Sequence, residues 1–498
     1  MEFIRNLPFI GIFLCMSTGV INSVLDGKWA KKVSFTVITA NLFMSILVLY
    51  YVWQTKQSYI YVMGHHPAPW GNEIRFGILE GAFATFFCLI MLLSVLGGVK
   101  RLEEDISEKR SNLYYVLVNL LMAAILALTY TNDLFTAYVF VEIMTIGACG
   151  IIVIRGEGRS LLASVKYMIM SLLGSGLILI GLTLIYDLTG HLLMSNIQEA
   201  AQQLVKSGQY QVPFTSAIAL ISVGLAMKSA LFPFHSWLPD AYTYATSASS
   251  AILSSLVSKA YIFLLIKIYY RVIGLSIIFQ NKILNILFLF GIAGMIFGSL
   301  SAIRQDDLKK MIAYSSVAQI GYIYMGIGLG TTAGMLAAVF HIMSHAASKS
   351  MMFLSASGLS QVSGRSCNYR KLIGAAHRNR IAGFAFLVGA FSMVGIPMTA
   401  GYISKVYFAQ AAIQAPYQFK MIITVITLGI STILNAVYFI RALIVIYQPL
   451  KGQKQGADGR RDFRMAVALW ALVVTNLFLG MHSDAVVDLL RAGLRMFC

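Results

Sequence analysis

Apolar stretches long enough to fill a bilayer recur along the whole chain, as in FATFFCLIMLLSVL at 83–96 and LFLFGIAGMIFGSL at 287–300. A hydrocarbon core about 30 Å thick takes roughly 20 apolar residues of helix per crossing. Lipid offers no partner to an open backbone, so repeated runs of this kind are expected to be helices. Charge is correspondingly scarce: 12% of the residues are charged and 58% hydrophobic, where a soluble domain carries roughly 25% charged residues. An all-α polytopic membrane protein is therefore expected. The net charge of +18 does not imply a nucleic-acid partner. Polytopic proteins gather Lys and Arg in cytoplasmic loops, and no basic run here is interleaved with aromatic residues.

The five cysteines (Cys15, Cys88, Cys149, Cys367 and Cys498) are scattered without a C-x-x-C pair, which speaks against an iron–sulfur or haem-attachment site. No G-x-G-x-x-G or Walker motif is present either. No cofactor is expected on this chain, and electrons or nucleotides, if they drive it, act on another subunit. The first apolar run, LPFIGIFLCMSTGVINSVL, shows no obvious small-residue cleavage site and is read as a span, not a signal peptide.

Apolar runs read against charged and Gly/Pro punctuation predict about 14 spans, at 8–25, 33–53, 76–98, 113–130, 133–154, 167–186, 215–238, 241–266, 283–302, 311–328, 333–358, 382–412, 421–443 and 465–482. Lys and Arg provide a check on that number. Connections after odd-numbered spans hold 24 of them, from Lys28, Lys31 and Lys32 to Lys451, Lys454, Arg460, Arg461 and Arg464. Connections after even-numbered spans hold 6, namely Lys56, Arg75, Lys206, Arg271, Lys282 and Lys420. The positive-inside rule then sets both termini on the non-cytoplasmic side of a cell membrane. The polar connection 187–214 includes MSNIQEAAQQLVKSG, which is expected to lie as an amphipathic helix on the outer surface.

Several charges stand where a bilayer disfavours them. Lys228, Lys259, Lys267, Lys349 and Lys405 fall inside predicted spans, as do Glu142, His341 and His345. A charge at the bilayer centre costs about 2.5–3.5 kcal/mol on insertion scales, so such residues mark a protein-lined polar path. Lys267 is near the end of its span and close to Arg271, and snorkelling to the interface is the favoured reading. Glu80, near the start of span three, is within reach of the interface as well and is left unassigned. Glu142, Lys228 and Lys259 lie too deep for that. His341, His345 and Lys349 are spaced i, i+4, i+8 along one helix face. Two histidines so spaced can bind zinc, but no further ligand with matching spacing is evident. A hydrogen-bonded row of titratable groups is favoured over a metal site and over a purely structural polar seam.

This chemistry suits proton transfer. Burial disfavours the charged form of a lysine and a nearby carboxylate favours it, so a carboxylate that approaches and withdraws switches a lysine between holding and releasing a proton. Glu142 and Lys228 are read as such a couple. Two spans are also interrupted: Pro233 and Pro239 follow Lys228 in MKSALFPFHSWLPDAY, and Pro397 precedes Lys405 in GIPMTAGYISK. Proline removes a backbone donor and clashes with the preceding turn. Broken helices at corresponding places in two halves point to inverted-repeat transporters. These interruptions, in spans seven and twelve, are five spans apart, an odd offset that inverts the second unit.

Taken in order, KSALFPFHSWLPDAY (228–242), SAILSSLVSKAYIFLLIKIYYR (250–271), DDLKKMIAYSSVAQIGYI (306–323), HIMSHAASKSMMFLSASGL (341–359) and GIPMTAGYISK (395–405) resemble the antiporter-like membrane subunits of complex I, Mrp sodium/proton antiporters and membrane-bound hydrogenases. The resemblance covers roughly residues 70–445. It implies fourteen helices in which spans four to eight (113–271) and nine to thirteen (283–443) are two inverted five-helix units with broken helices seven and twelve. Residues 1–112 then form an N-terminal three-helix segment, and 444–498 a loop, last helix and tail. It also implies a proton path from Glu142 and Lys228 through the bridging Lys259, then His341, His345 and Lys349, to a terminal Lys405.

The partners it implies are other membrane subunits, among them homologous antiporter-like subunits, and a peripheral iron–sulfur redox arm. YDLTGHLLMSNI (186–197) is similar to the D component of Mrp antiporters, WLPDAY to hydrogenase and complex I versions. VFVEIMTIGACGII and ATSASSAILSS depart from the commonest patterns, and a modular complex of hydrogenase–Mrp type is favoured. Three readings compete with a proton-channel subunit. A gradient-driven sodium/proton antiporter would want oxygen ligands for sodium, whereas this path is dominated by Lys and His. A structural adaptor would use its buried charges only to hold helices together. A membrane enzyme such as an acyltransferase lacks a nucleophile–base pair beside His341 or His345.

Overall fold

The computed structural model describes residues 2–66, 71–208, 210–449 and 462–497. Lys451, Lys454, Arg460, Arg461 and Cys498 lie outside the described residues. The described residues are mostly helical. It opens with α1 (Glu2–Val24) and α2 (Gly27–Thr55), followed by a hairpin of β1 (Tyr59–Val62) and β2 (Glu73–Phe76). The hairpin is antiparallel, with Tyr59 opposite Phe76 and Val62 opposite Glu73. Then come α3 (Ile78–Asp105), α4 (Glu108–Tyr130), α5 (Leu134–Val153), α6 (Gly158–Thr189), α7 (Met194–Ser207) and α8 (Gln211–Lys228). After a break, α9 (Leu238–Tyr244) leads to a continuous run, Ser247–Ile273, in which α10 (Ser247–Ile252) and α11 (Ser258–Ile268) are each followed by one wide π turn.

The short α12 (Leu275–Ile278) precedes α13 (Ile283–Ile303), α14 (Leu308–Gly328) and α15 (Thr332–Gln361). Two single turns, α16 (Tyr369–Leu372) and α17 (Ala375–Arg378), lead to α18 (Arg380–Val394), α19 (Ala400–Ile413) and α20 (Gln418–Tyr447). The chain closes with α21 (Phe463–Met481) and α22 (Ser483–Met496).

Among the described residues, 11 helical segments are long and apolar enough to cross a membrane. α14 and α15 fall short of that standard for a legible reason. α15 carries His341, His345, Lys349 and six serines, and every residue from Gly334 to Ser360 is buried, so protein surrounds it where lipid would not suit it. The Ser247–Ile273 run is likewise enclosed along its length. Around this polar centre the outer helices turn apolar side chains outward: Phe43 and Leu47 on α2, Leu162 and Leu173 on α6, Ile426 and Ile433 on α20. That is the inversion a bilayer requires.

Local chemistry sets many helix starts. The side chains of Asp133, Asp307, Thr331 and Asn379 accept from backbone N–H groups one turn in, at 2.6, 2.9, 3.0 and 3.2 Å respectively, so each occupies one of the donors that helix ends leave free. One end of the molecule is tied together by backbone bonds. Asn132 N–H donates to Glu73 C=O at 2.9 Å, Leu134 to Leu192 at 2.9 Å and Met194 to Asn132 at 2.9 Å. The hairpin, the α4–α5 corner and the start of α7 thus share one face, here called the hairpin end.

α7 is the amphipathic helix expected within 187–214. It buries Met194, Ile197 and Ala201 and holds the end of the Ser247–Ile273 run through Gln198 Nε2 on the Tyr270 carbonyl, 2.9 Å. The residues after 482, expected as a tail, instead form the amphipathic α22, which buries Val486, Val487, Leu490 and Leu494. Its Gly493 lies against Leu79 of α3 so closely that a Cβ would meet the Leu79 backbone at 2.9 Å.

Candidate functional site

Glu142 and Lys228 are brought together. Glu142 is on α5 and Lys228 is the last residue of α8, and Lys228 Nζ stands 3.4 Å from Glu142 Oε1. The lysine is fully enclosed whereas the Glu142 side chain is 27% exposed at the protein's outer surface. A second oxygen, Thr145 Oγ1, accepts from Lys228 at 2.7 Å, and Ser175 of α6 donates to Glu142 Oε1. Close approach of the helices permits this. A Cβ on Gly174 of α6 would meet the Gly224 carbonyl of α8 at 2.9 Å and the Lys228 stem at 3.2 Å.

Lys259 is the second residue of α11, directly after the π turn Leu253–Val257. It is fully buried and donates to the Ser254 carbonyl and, at 3.2 Å, to Ser258 Oγ. Ser254 Oγ meets Ser316 Oγ of α14 at 3.3 Å. The neighbouring Ser315 accepts from Lys349 of α15, which also donates to the Ile312 carbonyl at 2.9 Å. A band of hydroxyls thus lies between the two lysines.

His341 and His345 stack with ring centroids 5.9 Å apart, and Tyr322 of α14 stacks on His341 at 5.5 Å. His341 Nδ1 meets Ser404 Oγ of α19 at 3.0 Å. His341 Nε2 and both ring nitrogens of His345 are buried with no protein partner among the described residues. Lys259 and Lys349 lie near enough to act electrostatically on His345. No group of three or more His, Cys, Asp or Glu comes together among the described residues.

Lys405 sits on α19, past the second break. It donates to the Val394 carbonyl at 2.6 Å and to Thr432 Oγ1 of α20 at 2.9 Å, with the Tyr322 ring 5.8 Å away. Both breaks fall where proline placed them, between Lys228 and Leu238 and between Val394 and Ala400. Each holds a non-glycine residue in the left-handed region, Ala230 at φ 63° and Met398 at φ 72°. Such residues cost of order 1–3 kcal/mol and cluster at functional sites. Gly395, at φ 89°, ends α18 where a Cβ would touch Lys405 Cδ at 2.9 Å. Pro239 interrupts nothing: it lies in the first turn of α9, where its missing N–H costs nothing. Hence the helix after the first break runs on to Tyr244 and the next begins at Ser247, later than the expected 238 and 241.

The structure overturns one expectation and places one residue that was left open. Lys267 does not snorkel: it is fully buried and its ammonium donates to the carbonyls of Leu128, Thr129 and Thr131 at 2.8, 2.6 and 3.1 Å. Glu80 does not reach the interface, because it pairs with Arg271 and both side chains are 1% exposed. Position near a helix end made both look interfacial, whereas tertiary packing encloses that end beneath α22 and the hairpin. Lys420, counted with a connection, is also buried and caps α14 through the Gly328 carbonyl at 2.7 Å. Thr145, Ser175, Ser315, Ser404 and Thr432 were not anticipated. Of these only Thr145, three residues after Glu142 and so on the same helix face, carried a signal in sequence.

Buried lysines and histidines in a row, two helices broken beside lysines and an apolar exterior define a polytopic, antiporter-like membrane protein. The chain belongs to the NADH:quinone oxidoreductase/Mrp antiporter transmembrane family, whose model matches residues 131–431. It is 32% identical over 442 residues to NADH-quinone oxidoreductase subunit N of Desulforudis audaxviator, covering 86% of this chain and 85% of that one. It is 27% identical over 470 residues to the D component of a Na(+)/H(+) antiporter of Alkalihalophilus pseudofirmus, with 92% and 89% covered. Its fold matches a chain of the membrane-bound sulfane sulfur reductase, an archaeal respiratory membrane complex, with a TM-score of 0.87 at 24% identity over 100% of this chain and 98% of that one.

Proposed function

We propose that this chain is a proton-translocating subunit of a multi-subunit energy-converting membrane complex. Protons would move along Glu142, Lys228, Lys259, Lys349, His345, His341 and Lys405. The observation that carries this reading is the Glu142–Lys228 pair. A fully enclosed lysine faces a single carboxylate at 3.4 Å, and a hydroxyl at 2.7 Å stands ready to hold it when the carboxylate withdraws. An ion pair this loose can open and close, and the two states differ in how strongly the lysine keeps its proton. The hydroxyl band from Ser254 to Ser315, the stacked histidines and Tyr322 supply polar groups from there to Lys405. Water molecules would complete the connections between them.

In this reading α14, α15 and the broken pair α18–α19 also cross the membrane, making fourteen spans. Residues 113–271 and 283–443 form the two inverted five-helix units, flanked by 1–112 and 444–498. The placement of Lys228 before its break and Lys405 after its own suits such an inversion. Both termini would face the non-cytoplasmic side of a cell membrane, in keeping with the Lys and Arg distribution. The partners would be further membrane subunits, homologous ones among them, and a peripheral iron–sulfur redox arm.

Lys228→Ala in the assembled complex tests the proposal. It is expected to abolish proton pumping, read as acidification coupled to the driving reaction, while leaving the complex assembled; wild-type pumping would refute it. The second reading, a purely gradient-driven sodium/proton antiporter, is favoured by the name of the Alkalihalophilus pseudofirmus relative. It predicts sodium-dependent proton exchange in vesicles without any redox substrate.

A further inference from the structure

We infer that Lys267, closed off by Glu80, Arg271 and Phe497, forms a fixed positive barrier that keeps protons at Lys259 from leaving toward the hairpin end. The inference rests on the translocation role proposed above. Lys267 is eight residues beyond Lys259 on the same helix, about 12 Å at the helical rise, and is the next charged group toward that end.

Its three acceptors are all backbone carbonyls, those of Leu128, Thr129 and Thr131 at 2.6–3.1 Å. They belong to the C-terminal end of α4, where orphan carbonyls give the helix its negative pole. A carbonyl only accepts, and an ammonium offers three donors. Only the protonated lysine satisfies all three, so Lys267 holds its proton and acts as a standing cation. Lys259 differs, having one carbonyl and one hydroxyl that can reverse its role.

Beyond Lys267 the enclosed acid Glu80 is engaged. Glu80 takes Arg271 on one oxygen and, at 3.0 Å, the Gly77 N–H on the other. Arg271 Nε donates to the Phe497 carbonyl at 3.1 Å and its guanidinium lies 4.3 Å from the Phe497 ring. Phe497 thus covers the Glu80–Arg271 pair, and with Glu80 matched to Arg271 the remaining charge is that of Lys267. A unit charge about 12 Å away disfavours a second one by about tenfold at an effective dielectric near 20.

The test is passive proton leak across sealed membrane vesicles that contain the whole complex, under an imposed pH gradient with the driving reaction stopped. Lys267→Gln keeps a donor for the carbonyls but loses the charge, and is expected to raise the leak about tenfold; Lys267→Arg is expected to leave it at the wild-type rate. Glu80→Gln makes the region more positive and is expected to leave the leak at or below wild type. An unchanged leak in Lys267→Gln overturns the inference. Equal rises in Lys267→Gln and Glu80→Gln overturn it too, since only damaged packing would make both leak. Lys228→Ala in the same vesicles separates the two claims: retained pumping there defeats the translocation role, whereas lost pumping beside an unchanged Lys267→Gln leak defeats the barrier alone.

Discussion

At the scale of single residues, the candidate path depends on hydroxyls as much as on charges. Thr145 both receives Lys228 at 2.7 Å and lies 3.2 Å from the Tyr261 hydroxyl of α11, so it links the carboxylate couple to the helix that carries Lys259. Thr145→Val keeps the shape and removes the oxygen. It is expected to lower the pumping rate about tenfold with the complex still assembled, checked by acidification per driving turnover. A different residue-scale outcome concerns reactivity. Cys367 lies in the connection before α16, where burial, followed by the Asp307 carboxylate, pushes its thiol up to about 11. A raised thiol pKa leaves the neutral form dominant at every lower pH, and the thiolate is the nucleophile. Iodoacetamide at pH 8 is therefore expected to leave Cys367 unmodified, with labelling rising as pH approaches 11, both read by peptide mass spectrometry.

At the scale of elements, two features hold the helices in register. Gly395 combines a left-handed backbone with contact against Lys405. Gly395→Ala is expected to destabilise the protein by about 1–3 kcal/mol and to impair pumping by displacing Lys405. Thermal unfolding in detergent and the acidification assay would register the two effects. α1, α2 and α4 are joined by a buried amide cluster, in which Asn22 and Asn119 both donate to Ser34 Oγ, at 2.8 and 2.7 Å. Ser34→Ala leaves two enclosed amides without that acceptor, at a cost of about 1–3 kcal/mol. Since this cluster is remote from the lysine row, the lower melting temperature should come with unaltered pumping per assembled complex.

At the scale of the whole molecule, apolar outer faces and a polar interior make sense only inside a membrane and among neighbours. Glu142 is reachable from outside the chain while Lys228 is not, so an adjoining subunit could bear on the carboxylate directly. Mass spectrometry of what co-purifies in mild detergent would identify those neighbours. Iron–sulfur and nickel or flavin subunits are expected if a redox reaction drives the complex. A retinue of small hydrophobic subunits alone would favour the gradient-driven antiporter.

Much of this protein is a consequence of sequence alone. Apolar run length fixes a helical membrane protein because hydrocarbon tolerates no unpaired backbone, and proline placed both helix breaks beside lysines. Lysines and histidines within apolar runs were conspicuous because lipid penalises them, so Glu142, Lys228, Lys259, His341, His345, Lys349 and Lys405 were legible one by one. What lay beyond sequence was which of them meet and what solvates them. Lys267, Glu80 and Lys420 looked interfacial because distance from a helix end is a local property, whereas enclosure depends on which distant segments fold over that end. The hydroxyls that receive the lysines were equally hidden. A serine in a membrane helix bonds its own turn or a neighbour's lysine with equal ease, and only the packing of α10, α14 and α15 decided between them.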